Sequence, residues 1–432
     1  MPVENSRIKG LYKMSVAERR AIVAKEAGLM PEHVQALAAQ GELSETDADR
    51  MIENVIGTMS LPVGVATNFI INNQHYLIPF CVEESSIVAA ASNMAKRCHY
   101  HGGFATSNDD PVMIGQIQLL DIKNIERAIS SIESEKGELI TFCNSIQSTM
   151  VKLGGGCKDI SCRRLPYLGG EMLVVHILVD CRDAMGANAV NTMAERIAPK
   201  LEALTEGRAH LRILSNLAAH RLTRAQGVFT PEEMSSNDDR EDGLRIIQGI
   251  LEAQAFAEID PYRATTHNKG IMNAISSIAL ACGQDWRAIE AACHAWTIIR
   301  HDRYTSMSSW TQDEAGNLIG QMELPIAVGI VGGASKVHPA AQANLAILGV
   351  KNAQELASIM VCAGLAQNLG ALRALSTQGI QAGHMKLHAK NMAVSAGATG
   401  EEVEILARRL EAYDGHRSQT LVERWLAELR QG

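Results

Sequence analysis

Aromatic residues are scarce in this sequence, and neither sign of charge dominates it. Phe, Trp and Tyr make up 4% of the 432 residues, against 46% hydrophobic and 20% charged residues. The net charge is -8, with acidic and basic residues interspersed, which argues against a general surface for nucleic acid or anionic membrane. There is no uninterrupted run of about 18 apolar residues, so no membrane span is expected.

Paired cysteine motifs and a secretion signal are also missing. The nine cysteines include no CxxC pair. The N-terminal stretch "MPVENSRIKGLYKMS" has no apolar signal core, so we interpret it as mature sequence. Together these features predict a cytoplasmic protein with free thiols.

The first hundred residues predict helices, then strands, then a helix. Residues 15–56 are predicted as helices, and "MSVAERRAIVAKEAG" carries a Ser15 cap with a capping-box Glu18. Residues 61–82 alternate like strands joined by a turn at "NNQ", before a helix that follows Glu83 and Glu84.

Residues 112–215 follow a different order. Strand patterns alternate with helical ones as β-α-β-β-α-β, and one helix carries an apolar stripe of Val190, Met193, Ile197, Leu201 and Leu204. This is the split-βαβ, ferredoxin-like pattern, and it predicts a separate small domain. Long helices and loops are expected from there to about residue 375. The glycine-containing "STQGIQAGHMK" then predicts a hinge before an amphipathic C-terminal segment.

We therefore predict an α+β fold with a large, mainly helical domain, an inserted small split-βαβ domain and a C-terminal helical flap. The predicted boundaries are 1–109 with 216–375 for the large domain, 110–215 for the small domain and 376–432 for the flap.

The segment "DCRDAMGANAVNTM", residues 180–193, joins a strand to a helix through a short turn. Free N–H groups at the start of that helix can bind phosphate, and Asp183 or Asn188 can orient a ribose or an amide. An ordinary turn that needs Gly186 for its backbone angle explains the same residues. The segment is not GxGxxG, so it gives no support for a Rossmann fold. "GIVGGAS" at 329–335 is interpreted as a close-packing or turn feature.

Glu83 and Glu84 lie where a strand gives way to a helix that Ser85 and Ser86 can cap. A partly desolvated carboxyl group at this place has a raised pKa and can carry a proton. Surface acids that complement the helix dipole are the alternative interpretation.

Lys269 lies in "DPYRATTHNKGIMN", which we predict to be a polar loop bounded by glycine. There it can present a fixed charge to an oxyanion, form a Schiff base if its pKa is depressed, or simply be solvated. Asp285 in "CGQDWRAIEAACHAW" is predicted to cap the following helix. Close to a lysine, the same carboxylate would keep the lysine charged.

Two histidines, His384 and His388, stand four residues apart in "GHMKLHAKN". Helical zinc pairs have this spacing, but no Glu follows His384 and no third ligand motif is present, so no metal site is predicted. A histidine on a mobile segment is better interpreted as a general acid that arrives on closure. Two solvated histidines are the alternative.

Taken together, these residues resemble a known family, class II (bacterial) 3-hydroxy-3-methylglutaryl-CoA (HMG-CoA) reductase, and above all the enzyme of mevalonate-degrading bacteria. The matching segments span residues 50–395 in order. They are "MIENVIGT", "VEESSIVAAAS", "LGGGC", "DAMGANAVNTMAE", "RILSNLA", "DPYRATTHNKGIMN", "GQDWRA", "IAVGIVGGAS", "GLAQNLGALRAL" and "GIQAGHMKLHA".

The resemblance implies the roles of individual residues. The family's catalytic set falls on Glu84, Lys269, Asp285 and His384. Nicotinamide cofactor binding falls on Asp183, Met185, Gly186 and Asn188. Substrate contacts fall on Ser86, Asn216, Arg263 and Asn273, with Lys13 as the basic residue for coenzyme A. The resemblance also implies a homodimer with its active site between subunits, assembling to a hexamer, and HMG-CoA, mevalonate and coenzyme A as its substrates and products.

One position departs from the closest NADH-using relatives, in which an acidic residue holds the adenosine ribose. Gln147 stands there. A carboxylate would repel the 2′-phosphate of NADP(H), whereas a glutamine does not. The resemblance favours NAD(H), and NADP(H) stays open.

Two other functions stay open at this point. One is a lyase or aldolase that acts on acyl-CoA substrates through a Schiff base on Lys269. The other is a regulator that binds NAD(H) without consuming it.

Overall fold

The computed structural model describes residues 3–38, 43–146, 149–377, 389–413, 415 and 417–431. The helices are α1 (Val16–Glu26), α2 (Pro31–Ala38), α3 (Glu45–Met51), α4 (Ile87–Arg97), α5 (Ile125–Ser134), α6 (Lys136–Asn144), α7 (Thr149–Lys152), α8 (Ala187–Thr205), α9 (Pro231–Met234), α10 (Arg240–Ile259), α11 (Pro261–Ala281), α12 (Trp286–His301), α13 (Pro339–Leu348), α14 (Ala353–Ser376), α15 (Glu401–Glu411) and α16 (Gln419–Gln431). The strands are β1 (Val63–Ile71), β2 (Gln74–Cys81), β3 (Ala105–Asn108), β4 (Val112–Leu120), β5 (Gly156–Tyr167), β6 (Gly170–Asp180), β7 (Arg208–Ser215), β8 (Leu222–Phe229), β9 (Ser308–Gln312) and β10 (Leu318–Pro325).

One four-stranded antiparallel sheet has the predicted split-βαβ order. Its strands lie in the order β5-β6-β4-β7, with helices between β4 and β5 and between β6 and β7. The stripe on α8 packs onto it: Val190, Met193, Ile197 and Leu201 are buried, and Leu204 packs at its edge. The structure therefore confirms the apolar face of this helix that was predicted from the 3.6-residue period.

A second core is formed by helices α4, α11 and α14 together with the hairpin β1–β2. The hairpin turns at Asn72 and Asn73, with φ of 48° and 65°, the left-handed conformations that a tight hairpin turn requires. The predicted capping box at Ser15 and Glu18 is present at the start of α1.

A further sheet, β3-β8-β10-β9, was not predicted, because residues 216–375 were expected to be helices and loops. Its alternation is hidden by small residues on the buried face. Gly227 packs under Phe104, and Gly320 packs so closely on Trp310 that a Cβ would lie 2.3 Å from the indole ring. The aromatic rings fill the space that large strand residues would otherwise occupy.

Within the described ranges, α14 is the one helix long and apolar enough to cross a membrane. Of its most apolar window, 83% is buried inside the fold, as expected of a core helix. The C-terminal helices α15 and α16 have a small core of their own that includes Leu406, Leu410 and Trp425. Most of the predicted hinge, residues 378–386, lies outside the described residues.

Candidate active site

A cleft of about 2660 Å³ lies among the N-terminal helices, the start of α4, the turn before α8 and the loop before α12. The predicted site residues that line it are Glu84, Ser86, Met185, Gly186, Asn188 and Asp285. Other predicted residues lie outside its lining: Lys13, Asp183, Asn216, Arg263, Lys269 and Asn273. Gln147, His384 and His388 lie outside the described residues.

Lys269 lies on a helix, so the predicted loop is wrong. Helix α11 begins at Pro261, and the Asp260 side chain accepts a hydrogen bond from the backbone N–H of Tyr262 at 2.8 Å. Asp at the cap and Pro at the first helical position form a standard helix start. The many polar residues in this segment had been interpreted as a sign of a loop. In the structure they place Lys269 on a rigid element.

Lys269 and Glu84 form an ion pair beside the cleft. The Lys269 Nζ donates to Glu84 Oε2 at 2.7 Å, with the side chains 60% and 37% exposed. Glu84 lies in the short connection between β2 and α4, and it is the second residue of the acidic pair, as predicted. The pair places an ammonium group, a type that can stabilise an oxyanion, within one hydrogen bond of a carboxyl group, a type that can carry a proton.

Asp285 occupies the predicted N-cap position of α12, where it accepts from the Ala288 N–H at 3.0 Å. Its ion-pair partner in the described chain is Arg287, at 3.7 Å, rather than Lys269. Asp285 therefore shares the cleft with Glu84 but does not contact the lysine here.

Ser86 stands at the N-cap position of α4, but its side chain makes no capping hydrogen bond, so that expectation is wrong. Its φ of 74° is left-handed, a conformation that costs a non-glycine residue of order 1 kcal/mol or more. Strained backbone of this kind concentrates at functional sites. The hydroxyl remains available to the cleft that Ser86 lines.

A buried polar network fixes the opposite face of α11, and sequence reasoning did not detect it. His267 is 3% exposed, and its Nε2 lies 3.0 Å from Asn368 Nδ2 and 2.9 Å from Ser306 Oγ. Asn368 Oδ1 accepts from Trp310 Nε1 at 2.7 Å and from Ser308 Oγ at 2.8 Å.

This network determines the protonation state of His267. An indole N–H can only donate, so the Asn368 atom that faces Trp310 is the oxygen and the amide N–H₂ faces His267. The Nε2 of His267 is therefore an acceptor, and the ring is neutral. Burial agrees with this, because it lowers the pKa of His267 to about 3.

Asn268 completes the attachment of α11. Its Nδ2 donates to the Thr305 carbonyl at 2.9 Å, and its Oδ1 accepts from the Met307 N–H at 2.9 Å. His267 and Asn268 directly precede Lys269 and together prevent rotation of the helix about its axis. The motif "THNKG" contains both residues, but its spacing did not show that His267 and Asn268 face the core.

The turn before α8 is built by close approach. Gly186 has φ of 102°, and a Cβ there would lie 2.2 Å from Cys181 Sγ, so glycine is required. A Cβ on Gly329 would lie 2.5 Å from the Met185 backbone nitrogen, which confirms close packing for the segment "GIVGGAS". Asn188, in the first turn of α8, is exposed and lines the cleft.

Asp183 accepts hydrogen bonds that hold neighbouring segments of the fold together. Its Oδ1 accepts from the N–H of Ala353 at the start of α14 at 2.9 Å, and its carbonyl accepts from Ile330 at 2.9 Å. One acceptor site of its carboxylate is therefore committed to the fold, and acceptor capacity remains for a ligand.

Arg263 is half-buried, and burial lowers its pKa. No hydrogen bond or ion pair to it is found within the described chain, so its guanidinium is available to an anion. Asn273 lies one helical turn beyond Lys269, and Asn216 is exposed after β7. Lys13 sits over the Tyr12 ring at 5.7 Å.

Several basic residues that line the cleft were not predicted from the sequence. They are Arg7, Lys9, Arg19, Arg20, Lys96, Arg97 and Arg287. They come from four separate stretches of the sequence, near residues 7–9, 19–20, 96–97 and 287, and the fold brings these stretches together. A cleft rich in cations suits a ligand that carries several phosphates.

Comparison with known proteins identifies the family of the chain. The family model of hydroxymethylglutaryl-coenzyme A reductase matches residues 15–389. The chain belongs to this family.

The relatives of the chain include archaeal and bacterial enzymes. It is 51% identical to the 3-hydroxy-3-methylglutaryl-coenzyme A reductase of Archaeoglobus fulgidus, over 93% of this chain and 89% of that protein. It is 35% identical to a probable reductase of Borreliella burgdorferi, over 78% and 76% of the two chains.

Solved structures of the reductase from Streptococcus pneumoniae are also similar. One has a TM-score of 0.83 and 41% identity, and covers 98% of this chain and 99% of that chain. Another, a class II enzyme bound to NADPH in open conformations, has a TM-score of 0.81 and 40% identity over 96% and 100%. The protein is therefore an NAD(P)H-dependent oxidoreductase of the HMG-CoA reductase family. These findings do not support the Schiff-base alternative.

The contacts on the two faces of α11 should contribute differently to stability. On the open face, Glu84→Gln removes the ion-pair partner of Lys269. This change should leave thermal unfolding nearly unchanged, since an exposed ion pair stabilises a fold by roughly 0–1 kcal/mol. His267→Ala should lower the unfolding temperature clearly, because unpaired polar groups left in a core cost about 1–3 kcal/mol. Circular dichroism melts of the two variants test this, and equal losses would contradict the division into an open face and a locked face.

Proposed function

We propose that the protein interconverts HMG-CoA with mevalonate and coenzyme A, through two hydride transfers and four electrons. The observation that carries the proposal is the Lys269–Glu84 ion pair beside a cation-rich cleft that also includes the turn before α8. The reduced nicotinamide supplies hydride, with NAD(H) favoured and NADP(H) open.

Lys269 would stabilise the negative charge that develops on the substrate carbonyl oxygen as hydride arrives. Glu84, already hydrogen-bonded to Lys269 Nζ, would deliver the proton to that oxygen. In the first half, the thioester carbonyl is reduced and the C–S bond breaks, giving mevaldehyde and the thiolate of coenzyme A. In the second half, the aldehyde is reduced to the alcohol.

Asp285 would keep Lys269 protonated once substrate draws the two together, and His384 would protonate the departing thiolate. Support for Asp285 comes from its place in the same cleft as Glu84. His384 rests on the motif "GHM" alone. Closure of the C-terminal flap would deliver His384 and shield mevaldehyde from water.

The cofactor would lie along the turn that holds Asp183, Met185, Gly186 and Asn188, with its phosphates near the start of α8. Gln147 would face the adenosine ribose and, unlike a carboxylate, would not repel a 2′-phosphate. Residues 110–215 would form the cofactor domain. Residues 1–109 with 216–375 would form the substrate domain, and residues 376–432 would form the flap.

On the substrate, Arg263 would bind the free carboxylate of the HMG group, because its half-buried guanidinium has no hydrogen-bond or ion-pair partner among the residues that the structure describes. Ser86, Asn216 and Asn273 would bind its remaining oxygens. Lys13 would serve coenzyme A together with the cations that line the cleft.

A homodimer with shared active sites would cover apolar side chains that a single chain leaves exposed. They include Ile56, Met59, Phe256, Ile259 and Tyr262. Large apolar side chains that a single chain leaves exposed in such number are typical of residues that a subunit interface covers. Further assembly to a hexamer in the cytoplasm is part of the same proposal.

The function is tested by the absorbance of the reduced nicotinamide in the presence of HMG-CoA, with NADH and NADPH offered separately. Oxidation that depends on HMG-CoA is expected, with NADH faster. If NADPH is faster, the cofactor preference is wrong while the reaction stands. If neither is oxidised, the reaction is wrong.

Lys269→Ala should lower kcat by about 10²–10³-fold or more, because the developing oxyanion loses its cation. The fold should persist, since the side chain is largely exposed. Steady-state rates and a thermal melt measure both effects. Lys351→Ala, an exposed lysine outside the cleft, is the control and should keep full activity. A Lys269→Ala rate close to that of the control would contradict the assigned role.

His384→Ala should damage reduction of HMG-CoA while sparing reduction of free mevaldehyde, because only the thioester releases a thiolate. Loss of a general acid typically costs about 10²–10⁴-fold. The two substrates are compared in the same nicotinamide assay. Equal losses with both substrates would exclude the thiolate as the group that His384 protonates.

A further inference from the structure

Arg221 is a buried arginine that no sequence motif singled out. It lies just before β8 and is 4% exposed. Its backbone is fixed on both sides, since its N–H donates to the Ala218 carbonyl at 2.9 Å and its carbonyl accepts from Ile326 at 3.3 Å. The guanidinium therefore has a defined position inside the fold.

The guanidinium joins two segments that border the cleft. Its Nη1 donates to the carbonyl of Ala184 at 3.1 Å and to that of Met185 at 3.5 Å. Its Nη2 donates to the carbonyl of Val328. Ala184, Met185 and Gly186 line the cleft, and Arg221 lies behind them. Gly329, next to Val328, packs directly on the Met185 nitrogen, so one side chain fixes the whole contact.

The positive charge of Arg221 has no direct counter-ion. No carboxylate of the described chain lies within ion-pair distance of it, and Asp180 and Asp183 act on it only at longer range. Burial lowers its pKa to about 10, so the group is charged at neutral pH. A buried cation bound only by carbonyls is costly, and apolar side chains fill such space at lower cost. A buried charge that is kept at this cost indicates a functional role for Arg221.

We infer that Arg221 is a positioning residue for the nicotinamide cofactor: it holds the 184–186 turn in its binding shape and places a positive charge, without a direct ion-pair partner in the described chain, behind that turn. The inference rests on the proposed binding of the cofactor at this turn. The cofactor carries a pyrophosphate, so a positive charge behind the turn favours its binding. HMG-CoA also carries a pyrophosphate, but its proposed contacts at Arg263 and Lys13 lie outside this turn, so it should gain little from the charge.

The test uses direct titration of the full-length protein with NADH and with NADPH, followed by nicotinamide fluorescence. Arg221→Met should raise the dissociation constant of both cofactors about tenfold or more, as expected for loss of a charged contact. Arg221→Lys keeps the charge, but the lysine ammonium cannot reach all three carbonyls. Its dissociation constant should therefore lie between that of the parent protein and that of Arg221→Met. KM for HMG-CoA should change less than about twofold in both variants, a split that general damage to the fold would not produce.

Arg373→Met is the matched control, because Arg373 also donates to a backbone carbonyl, that of Met234 at 3.0 Å, away from the turn. Its cofactor affinity should equal that of the parent protein. If Arg221→Met fails to fold, Arg221→Lys decides, because it loses part of the contact with the three carbonyls: weaker cofactor binding with an unchanged KM for HMG-CoA supports the positioning role, and affinity equal to that of the parent protein contradicts it. Unchanged cofactor affinity in a folded Arg221→Met, or equal affinities in the Lys and Met variants, would overturn the inference. Binding is measured without turnover, so failure of the proposed reaction appears separately, as an inactive parent protein.

Discussion

The hydrogen bonds that lock the buried face of α11 are the constraint on which the rest of the site depends. A lysine on a freely rotating or frayed helix would lose conformational entropy on meeting a substrate, and that loss would offset part of what its charge contributes. His267 and Asn268 remove that freedom before any ligand arrives, because they tie the helix to the segment at 305–308 and to α14. The helix can therefore leave Lys269 exposed and still hold it in one place.

The turn before α8 is built in the same way, with different chemistry. On its hidden side, the guanidinium of Arg221 binds its carbonyls, and Gly329 packs against its main chain. On its open side, Gly186 and Asn188 face the cleft. In both places the buried contacts fix the backbone, so that the polar groups on the exposed side remain for a ligand. This is the preorganisation that electrostatic catalysis requires.

Sequence patterns predicted the parts of this structure that rest on short-range regularity. The α8 stripe, the Ser15 cap and the β-α-β-β-α-β order all follow from periods of a few residues. The loop assigned around Lys269 was wrong because polar residues were taken as solvent-facing, whereas His267 and Asn268 bind polar partners more than 35 residues away. The sheet that contains β8 and β10 was missed because its glycines gain their burial from distant aromatic rings. Arg221 has no local signature, since its three acceptors come from two remote segments.

The exposure of the Lys269–Glu84 pair determines how strongly its charges act before and after a substrate binds. Both side chains are well exposed, so water screens their attraction and the pair contributes little to folding. Burial of the pair by substrate and by a closing flap would remove that screening and strengthen the field of Lys269 at the carbonyl oxygen. Asp285, which caps α12 and pairs with Arg287, lines the same cleft as Glu84. In the proposed reaction, the field of Lys269 would therefore be strongest when substrate is enclosed, and the enclosure would limit loss of the reactive aldehyde to water.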